Sequence, residues 1–133
     1  SGIVLSPDRR RVLLVHHRRL ERWLQPGGHI ELDDATMIAA ARREVLEETG
    51  VSADEPLPPV VVGIDVHDIP PARGEPHHLH HDIAFRFVAA STDLRPAAEV
   101  KQVVWCSVHE LERYAVDEAL SRSVERALRT QNA

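Results

Sequence analysis

The chain has 133 residues, 43% of them hydrophobic and 28% charged, which fits one compact domain with a sizeable core over residues 1–133. Its net charge of −5 argues against general electrostatic binding to a nucleic acid polymer or an anionic membrane, and no apolar run approaches the ~20 residues of a membrane span. The single cysteine, Cys106, cannot form an internal disulfide, so we expect a reducing, cytoplasmic location.

Apolar periodicity predicts several strands and two helices. Runs of β-branched residues or period-two alternation indicate strands, and an apolar stripe at positions 38, 41, 45 and 49 indicates a helix that Asp33 and Asp34 would cap. In chain order, strands are predicted at 2–5, 11–16, 60–66, 82–90 and 100–108, with a short strand or extended piece at 29–32. Helices are predicted at 35–49 and 110–128, the last with a break near Val116.

The connections between these elements are uneven in length. The Gln-Pro-Gly-Gly sequence at 25–28 requires a tight backbone, and the proline-rich segment 52–59 is predicted to be irregular. A long loop is expected at 68–81, and loops of this length are often functional. Strands with two helices and such connections predict a mixed sheet covered by a helix on each face, with a cleft at one sheet edge.

Three glutamates crowd like charge onto one turn of the first predicted helix. At ~100° per residue, the side chains of Glu44, Glu47 and Glu48 fall within an arc of roughly 100° and repel one another. Gly50 is expected just beyond the helix end, where the macrodipole also disfavours carboxylates. A hard divalent cation would remove both penalties. The cluster therefore indicates a metal-phosphate enzyme, with a solvated acidic face as the alternative.

Two segments around this cluster resemble the signature box of the Nudix hydrolases. Residues 43–51, Arg-Glu-Val-Leu-Glu-Glu-Thr-Gly-Val, match its second half at every specified position, and residues 28–34 supply the preceding glycine and acidic residue. The Trp-Leu-Gln-Pro-Gly-Gly lead-in at 23–28 is similar to the family as well, as is the position of Glu99 six residues before Trp105.

The chain departs from the family pattern at its first acidic position. Asp34 replaces the family's first glutamate, and eight residues rather than seven separate it from Arg43. In the family, that glutamate supports the loop and pairs with the arginine. We interpret the extra residue as a tolerable change in the loop or the first helical turn, which leaves the metal-bearing glutamates in place.

The resemblance implies an α/β (α+β) fold, a Nudix-like α/β/α sandwich, and hydrolysis of a pyrophosphate linkage in a nucleoside diphosphate derivative by attack of water on phosphorus. The implied ligands of Mg²⁺, or of Mn²⁺, are the carboxylates of Glu44, Glu47, Glu48 and Glu99 and the backbone carbonyl of Gly28. Such a cation neutralises phosphoryl oxygens and acidifies bound water. Glu47 or Glu99 would position or deprotonate the water, and Arg43 would orient a carboxylate through a bidentate pair.

Candidate substrate contacts lie outside the glutamate cluster. Gly27 would let the backbone approach the metals, and Trp23 is a candidate platform for a base, with hydrophobic packing as the alternative. His17 lies at a strand end that can reach the cleft. In the histidine-rich loop, His78 and His80 are candidates for substrate contact, for a zinc site or for plain surface.

We therefore expect a small-molecule nucleotide or diphosphate substrate, and the sequence is compatible with a homodimer. Candidate substrates include nucleoside triphosphates, nucleotide sugars, ADP-ribose and dinucleoside polyphosphates. One alternative is a nucleotide-sensing regulatory module of the same fold without turnover. Others are a metal-responsive protein built on the histidines and an isomerase of the same fold, although Cys106 in an apolar strand does not support a catalytic cysteine.

Overall fold

The computed structural model describes residues 1–71 and 74–129, apart from the side chains of His67, Ile69 and His80. Within these residues, six strands form one mixed sheet and two α-helices cover it. The elements are β1 (Gly2–Leu5), β2 (Arg11–His17), β3 (Arg22–Leu24), α1 (Met37–Thr49), β4 (Val61–Ile69), β5 (His78–Val88), β6 (Val100–Ser107) and α2 (Glu118–Arg129), with a 3₁₀ helix at Leu111–Tyr114.

The sheet is organised around the predicted hairpin of β1 and β2. β2 pairs antiparallel with β1, β3 and β6, whereas β1 pairs in parallel with β5. β5 in turn pairs antiparallel with β4, which lies at the edge of the sheet. In the described part of the chain, no helix is long and apolar enough to cross a membrane.

A separate hydrophobic cluster lies on each face of the sheet and holds one helix. On β2, Leu13 and Val15 belong to the cluster beneath α1, whereas Val12 and Leu14 belong to the cluster beneath α2, as the period of two requires. Each such buried side chain stabilises the fold by roughly 1.5–3 kcal/mol. The predicted stripe of α1 is confirmed, because all its members are buried: Ile38, Ala41, Val45 and Thr49. The predicted mixed sheet with a helix on each face is also confirmed.

The segment before α1 differs from the prediction. Residues 29–32 form no strand, because the chain turns back on itself: the Asp34 N–H donates to the Glu31 carbonyl at 3.0 Å, and the Glu31 N–H donates to Asp34 Oδ2 at 2.8 Å. The helix begins at Met37 rather than at residue 35. Its cap is Thr36, whose hydroxyl accepts the Ala39 N–H at 3.1 Å, so the prediction of an aspartate cap was wrong.

Most of the loop predicted at 68–81 is an extension of a hairpin. β4 continues to Ile69 and β5 begins at His78, and these two residues pair with each other. The prolines and glycine that suggested a long loop lie between the strands. The strand ends themselves carry polar residues that neither alternation nor β-branching marks as strand.

The C-terminal helical pattern is interrupted as predicted. Ala115 takes the left-handed conformation with φ 50°, and it separates the 3₁₀ helix from α2. Asp117 Oδ1 then accepts the Leu120 N–H at 2.8 Å, which caps the start of α2. Cys106 is buried in β6, as its apolar flanks predict.

The end of α1 depends on the glycine at position 50. Gly50 has φ 75°, and its N–H donates to the Leu46 carbonyl at 2.9 Å, which closes the helix. A Cβ at this position would lie 2.6 Å from the Cβ and 2.8 Å from the backbone nitrogen of Arg95. Both the left-handed backbone conformation and the closeness of Arg95 therefore require glycine at this position.

We expect Gly50→Ala to lower the free energy of unfolding by about 2–4 kcal/mol, because left-handed strain and overpacking add. Gly74→Ala is the matched control, since Gly74 also has a positive φ, 81°, but nothing lies within 4 Å of an added Cβ. The control should cost only ~1–2 kcal/mol. Urea denaturation of both variants measures the difference, and equal losses would show that the contact with Arg95 has no energetic weight.

Candidate functional site

The charged groups around α1 converge on Arg43. Its guanidinium forms a bidentate pair with Asp34, with Nε to Oδ1 and Nη2 to Oδ2 both at 2.9 Å. Nη1 donates to Glu44 Oε1 at 2.7 Å and to Glu47 Oε2 at 3.1 Å, and Nη2 also donates to the His29 carbonyl at 3.0 Å. Arg43 thus neutralises part of the crowded charge and fastens the preceding loop to α1.

The pair of Arg43 with Asp34 is the bidentate contact expected of this arginine. Hydrogen bonding from Arg43 is the main cause that lowers the pKa of Asp34, and the Glu31 N–H lowers it further. The same contact is the main cause that raises the pKa of Arg43, followed by the bond to Glu44. The ionised forms of both partners are therefore favoured, and the substitution of aspartate for glutamate does not break the link.

Glu48 is the buried member of the cluster. The residue is only 7% exposed, and its Oε1 accepts the Gly27 N–H at 3.0 Å. The pKa of Glu48 is raised to about 7, mainly by burial and also by the negative charges of Glu44 and Glu99, against the lowering effect of the bond from Gly27. The charged form of Glu48 is therefore unfavourable unless a cation lies beside it.

Gly28 lies directly against the carboxylate of Glu44. A Cβ at Gly28 would be 2.4 Å from Glu44 Oε2 and 2.5 Å from Cδ. Any other residue here would displace this carboxylate. The glycine pair thus serves the cluster in two ways, because Gly27 donates its N–H to Glu48 and Gly28 leaves room for Glu44.

Glu99 reaches the cluster from a remote part of the chain. It is exposed and directly precedes β6, in the segment that follows β5. The Arg95 N–H donates to the Thr49 carbonyl at 2.7 Å, and the Ala97 N–H donates to the Glu48 carbonyl at 3.0 Å. These bonds hold the segment at the C-terminal end of α1, where the charge of Glu99 acts on Glu48.

The oxygen atoms of the cluster suit a hard cation, although the side chains are not already arranged around a metal position. Among the described residues, no group of three or more His, Cys, Asp or Glu side chains is placed so that it could hold a metal. One reason is that Arg43 binds oxygens of both Glu44 and Glu47. The buried Glu48 with like charges beside it, and the glycine backbone against Glu44, nevertheless fit Mg²⁺ or Mn²⁺, which prefer oxygen ligands.

Trp23 is packed on the other face of the sheet. Its ring contacts those of His16 and Tyr114 edge-on, with centroids 4.9 Å and 5.0 Å away. It joins the hydrophobic cluster beneath α2, whereas Glu44 and Glu48 project from α1. This placement favours the packing interpretation over a platform for a base.

The histidine candidates are divided between two places. His17 ends β2 opposite Val100, the neighbour of Glu99, and its Nδ1 accepts the Leu20 N–H at 3.2 Å. His78 lies seven residues before Phe85, which pairs with Gly2, and this separation is ~23 Å along a strand. The structure thus places His17 near Glu99 but does not bring His78 to the glutamates.

His67, His77 and His80 lie at the outer end of the β4–β5 hairpin. The backbone of His80 pairs with that of His67, and both side chains lie outside the described part of the structure. His77 Nε2 and Asp68 Oδ1 are 3.1 Å apart on the surface. This pair alone does not make a zinc site.

Two features of the site were missed in the sequence. The contact between Arg43 and Glu47 joins residues four apart on a helix, so it was visible in the spacing. The contact of Arg43 with the His29 carbonyl had no such signal, because it depends on the path of an irregular loop.

We expect stability without metal to fall between pH 4.5 and about 7 because of Glu48. Its pKa in the folded state lies above the ordinary value of 4.5, so the stabilising neutral form is fully present below pH 4.5 and is lost as pH rises through about 7. Glu48→Gln stays neutral and retains an acceptor for Gly27. Its unfolding free energy relative to the native protein should rise across this window by at most about 3 kcal/mol. Denaturation in EDTA at several pH values measures this, with Glu47→Gln as the control; parallel curves for Glu48→Gln and the native protein would contradict it.

The chain matches a protein family over almost its whole length. The model of the NUDIX domain matches residues 1–127. A curated relative, phosphatase NudJ of Escherichia coli strain K12, is 58% identical over 31 residues, which are 23% of this chain. The matched segment spans 20% of the length of NudJ.

Solved structures share the fold. The NUDIX domain of Shewanella oneidensis NrtR complexed with ADP ribose has a TM-score of 0.70 at 20% identity, over 95% of this chain and 82% of that one. The E. coli dihydroneopterin triphosphate pyrophosphohydrolase has a TM-score of 0.69 at 15% identity, over 96% of this chain and 91% of that one. At these identities the likeness concerns the fold, but the domain match covers residues 1–127, and the chain belongs to the Nudix family.

Proposed function

We propose that the chain is a metal-dependent pyrophosphohydrolase that cleaves the pyrophosphate linkage of a nucleoside diphosphate derivative by attack of water on phosphorus. The observation that carries this proposal is the buried Glu48 carboxylate, which lies beside the like charges of Glu44 and Glu99. Such an arrangement is unfavourable in the free protein, and a divalent cation would stabilise it. Membership of the Nudix family supports the same reaction class.

In this proposal, the cation would be held by carboxylates of the cluster and by a backbone oxygen. The ligands are Glu44, Glu47, Glu48 and Glu99 and the carbonyl of Gly28. Mg²⁺, or Mn²⁺, would supply positive charge to the phosphoryl oxygens and lower the pKa of bound water. Glu48 must lose its proton to serve as a ligand, so binding releases a proton when the pH is near neutral.

In this proposal, Glu47 or Glu99 would position or deprotonate the attacking water. Both lie at the solvent side of the cluster, and the Glu47 side chain is 55% exposed. The bond from Arg43 to Glu47 Oε2 fixes the orientation of that carboxylate, so it can accept a proton from water in a defined direction. Arg43 also keeps Glu44 in place, and Asp34 keeps Arg43 in place.

We infer that the substrate is a small nucleotide or related diphosphate and that residues 1–133 act as one domain. Gly27 and His17 lie near cluster residues and are the better-placed candidates for substrate contact, whereas Trp23 and His78 are less so. The buried thiol of Cys106 is compatible with a reducing, cytoplasmic location. A homodimer stays a hypothesis to be checked by light scattering.

One observation favours a second candidate, a nucleotide-sensing module without turnover. Arg43 binds two of the glutamates that catalysis would need for metal. The NrtR domain of similar fold is complexed with ADP ribose. A panel of nucleoside triphosphates, nucleotide sugars, ADP-ribose and dinucleoside polyphosphates, assayed with Mg²⁺ and Mn²⁺ for products and by calorimetry for binding, separates the two. Binding without products would favour the sensing module.

Glu48→Gln and Glu47→Gln should each lose Mg²⁺-stimulated hydrolysis on this panel, by about 100-fold or more, because each removes a metal-binding or proton-accepting carboxylate. Product release measured at saturating substrate gives the ratio. The control is Glu125→Gln, an exposed glutamate on α2 at the opposite face of the sheet. Full activity in both cluster variants would refute the proposal.

Metal should also stabilise the native fold. At a free Mg²⁺ or Mn²⁺ concentration 100 times the Kd, we expect a gain of about 2.7 kcal/mol in unfolding free energy, which EDTA reverses. Glu48→Gln should gain much less, since its amide is a poor substitute for the carboxylate. Thermal denaturation with and without metal provides the measurement. An equal gain in the native protein and in Glu48→Gln would place the cation elsewhere.

A further inference from the structure

The segment that carries Glu99 is fastened to the fold at both ends. We call residues 91–99 the Glu99 loop. Among the described residues, the loop is held by bonds from Trp105 Nε1 to the Thr92 carbonyl at 3.0 Å, from the Arg95 N–H to Thr49, from the Ala97 N–H to Glu48, and from Arg18 Nε to the Ala98 carbonyl at 2.9 Å. The first three partners belong to β6 or to the end of α1, whereas Arg18 lies in the exposed turn after β2. In addition, the Val100 N–H donates to the Ala97 carbonyl at 3.3 Å across the turn that contains Glu99.

The bond from Arg18 acts at the residue next to Glu99. The Ala98 carbonyl belongs to the planar peptide unit that contains the Glu99 nitrogen, so holding this oxygen fixes the plane from which Glu99 begins. The bonds to α1 end at Ala97, two residues earlier. Arg18 therefore controls the orientation of Glu99 more directly than they do.

The turn that carries Arg18 is itself well held. The Glu21 N–H donates to the His17 carbonyl at 2.8 Å, and the Leu20 N–H donates to His17 Nδ1 at 3.2 Å. His17 in turn pairs with Val100, the residue after Glu99. Arg18 and the strand pairing thus hold the chain on either side of Glu99.

In the part of the chain that the structure describes, no hydrogen bond or ion pair is found for the Glu99 side chain, so its position depends on the backbone on either side of it. Glu99 is exposed and carries the same charge as Glu44 and Glu48, and the bond from the Ala97 N–H to the Glu48 carbonyl holds its segment at that end of α1. Repulsion favours movement of the Glu99 carboxylate into water, where its charge is well solvated. A guanidinium on the neighbouring peptide opposes this movement both by its hydrogen bond and by its charge.

We propose that Arg18 is a positioning residue for Glu99, which it holds beside Glu48 through the hydrogen bond to the Ala98 carbonyl. The proposal rests on the function proposed above, because it takes Glu99 to be a metal ligand or the group that handles the water. It also makes a claim about the loop itself that does not depend on turnover. The competing role is a surface arginine that only adds stability.

Three variants separate these roles. Arg18→Ala removes the donor, Arg18→Lys keeps a positively charged donor, and Arg19→Ala removes the same charge one residue away. Arg19 is exposed and makes no hydrogen bond or ion pair within the described part of the chain. Both positions are at the surface, so all three variants should fold.

The first measurements need no substrate. In Arg18→Ala, hydrogen exchange of the amides at 95 and 97–100, on either side of Pro96, should be faster than in the native protein, with exchange elsewhere unchanged. Binding of Mn²⁺ alone, followed by its electron paramagnetic resonance signal, should weaken by about 10-fold or more, the effect typical of losing a group that orients a metal ligand. Arg18→Lys should recover most of both properties, and Arg19→Ala should match the native protein.

Turnover adds a further readout on the panel compound that is hydrolysed fastest. Arg18→Ala should lower kcat by about 10-fold to 100-fold with KM changed less than about 3-fold, because the reacting groups are displaced while substrate contacts stay. Native loop exchange together with native Mn²⁺ affinity in Arg18→Ala would overturn the inference. So would a loss of thermal stability alone, or an equal loss in Arg19→Ala. If the native protein hydrolyses nothing, the proposed function fails, and the exchange and Mn²⁺ results still decide the role of Arg18.

Discussion

The arrangement of this site depends on the burial of one carboxylate, that of Glu48, next to other carboxylates. Glu48 is almost fully enclosed, and Glu44 and Glu99 place further negative charge beside it. Desolvation and repulsion act in the same direction and keep its pKa near 7. Neighbouring groups reduce this penalty without abolishing it, since a single N–H from Gly27 is weaker than a full counter-charge. Binding of a cation beside Glu48 would therefore stabilise the folded protein.

Arg43 limits the same repulsion on the outer side of α1. It shares its guanidinium among Asp34, Glu44 and Glu47, and Glu31 Oε1 lies 3.6 Å from Nη1, so four carboxylates surround one fixed positive charge. Asp34 is one methylene shorter than glutamate and lies one position further from Arg43 along the chain. Because α1 begins only at Met37, after its cap Thr36, the loop is free to bring Asp34 into bidentate contact with Arg43. The departure from the family pattern is thereby compensated within the loop.

The sequence predicted those features that depend on local periodicity or on the family motif. The stripe of α1 and the strands of the first hairpin follow from the spacing of apolar residues, and the glutamate cluster follows from the motif. The full length of the β4–β5 hairpin was missed because the ends of both strands next to the turn are polar and the turn itself is rich in proline. Contacts such as Arg18 with Ala98 join residues 80 positions apart, and no local pattern encodes them.

The end of α1 shows how one structural requirement serves another. A helix leaves its last carbonyls without partners, and here the amides of Arg95 and Ala97 satisfy those of Thr49 and Glu48. The loop can approach this closely because Gly50 has no side chain to obstruct Arg95. The capping of α1 therefore also delivers Glu99 to the cluster. The glycine at the end of the motif is required by the remote loop as much as by the helix it terminates.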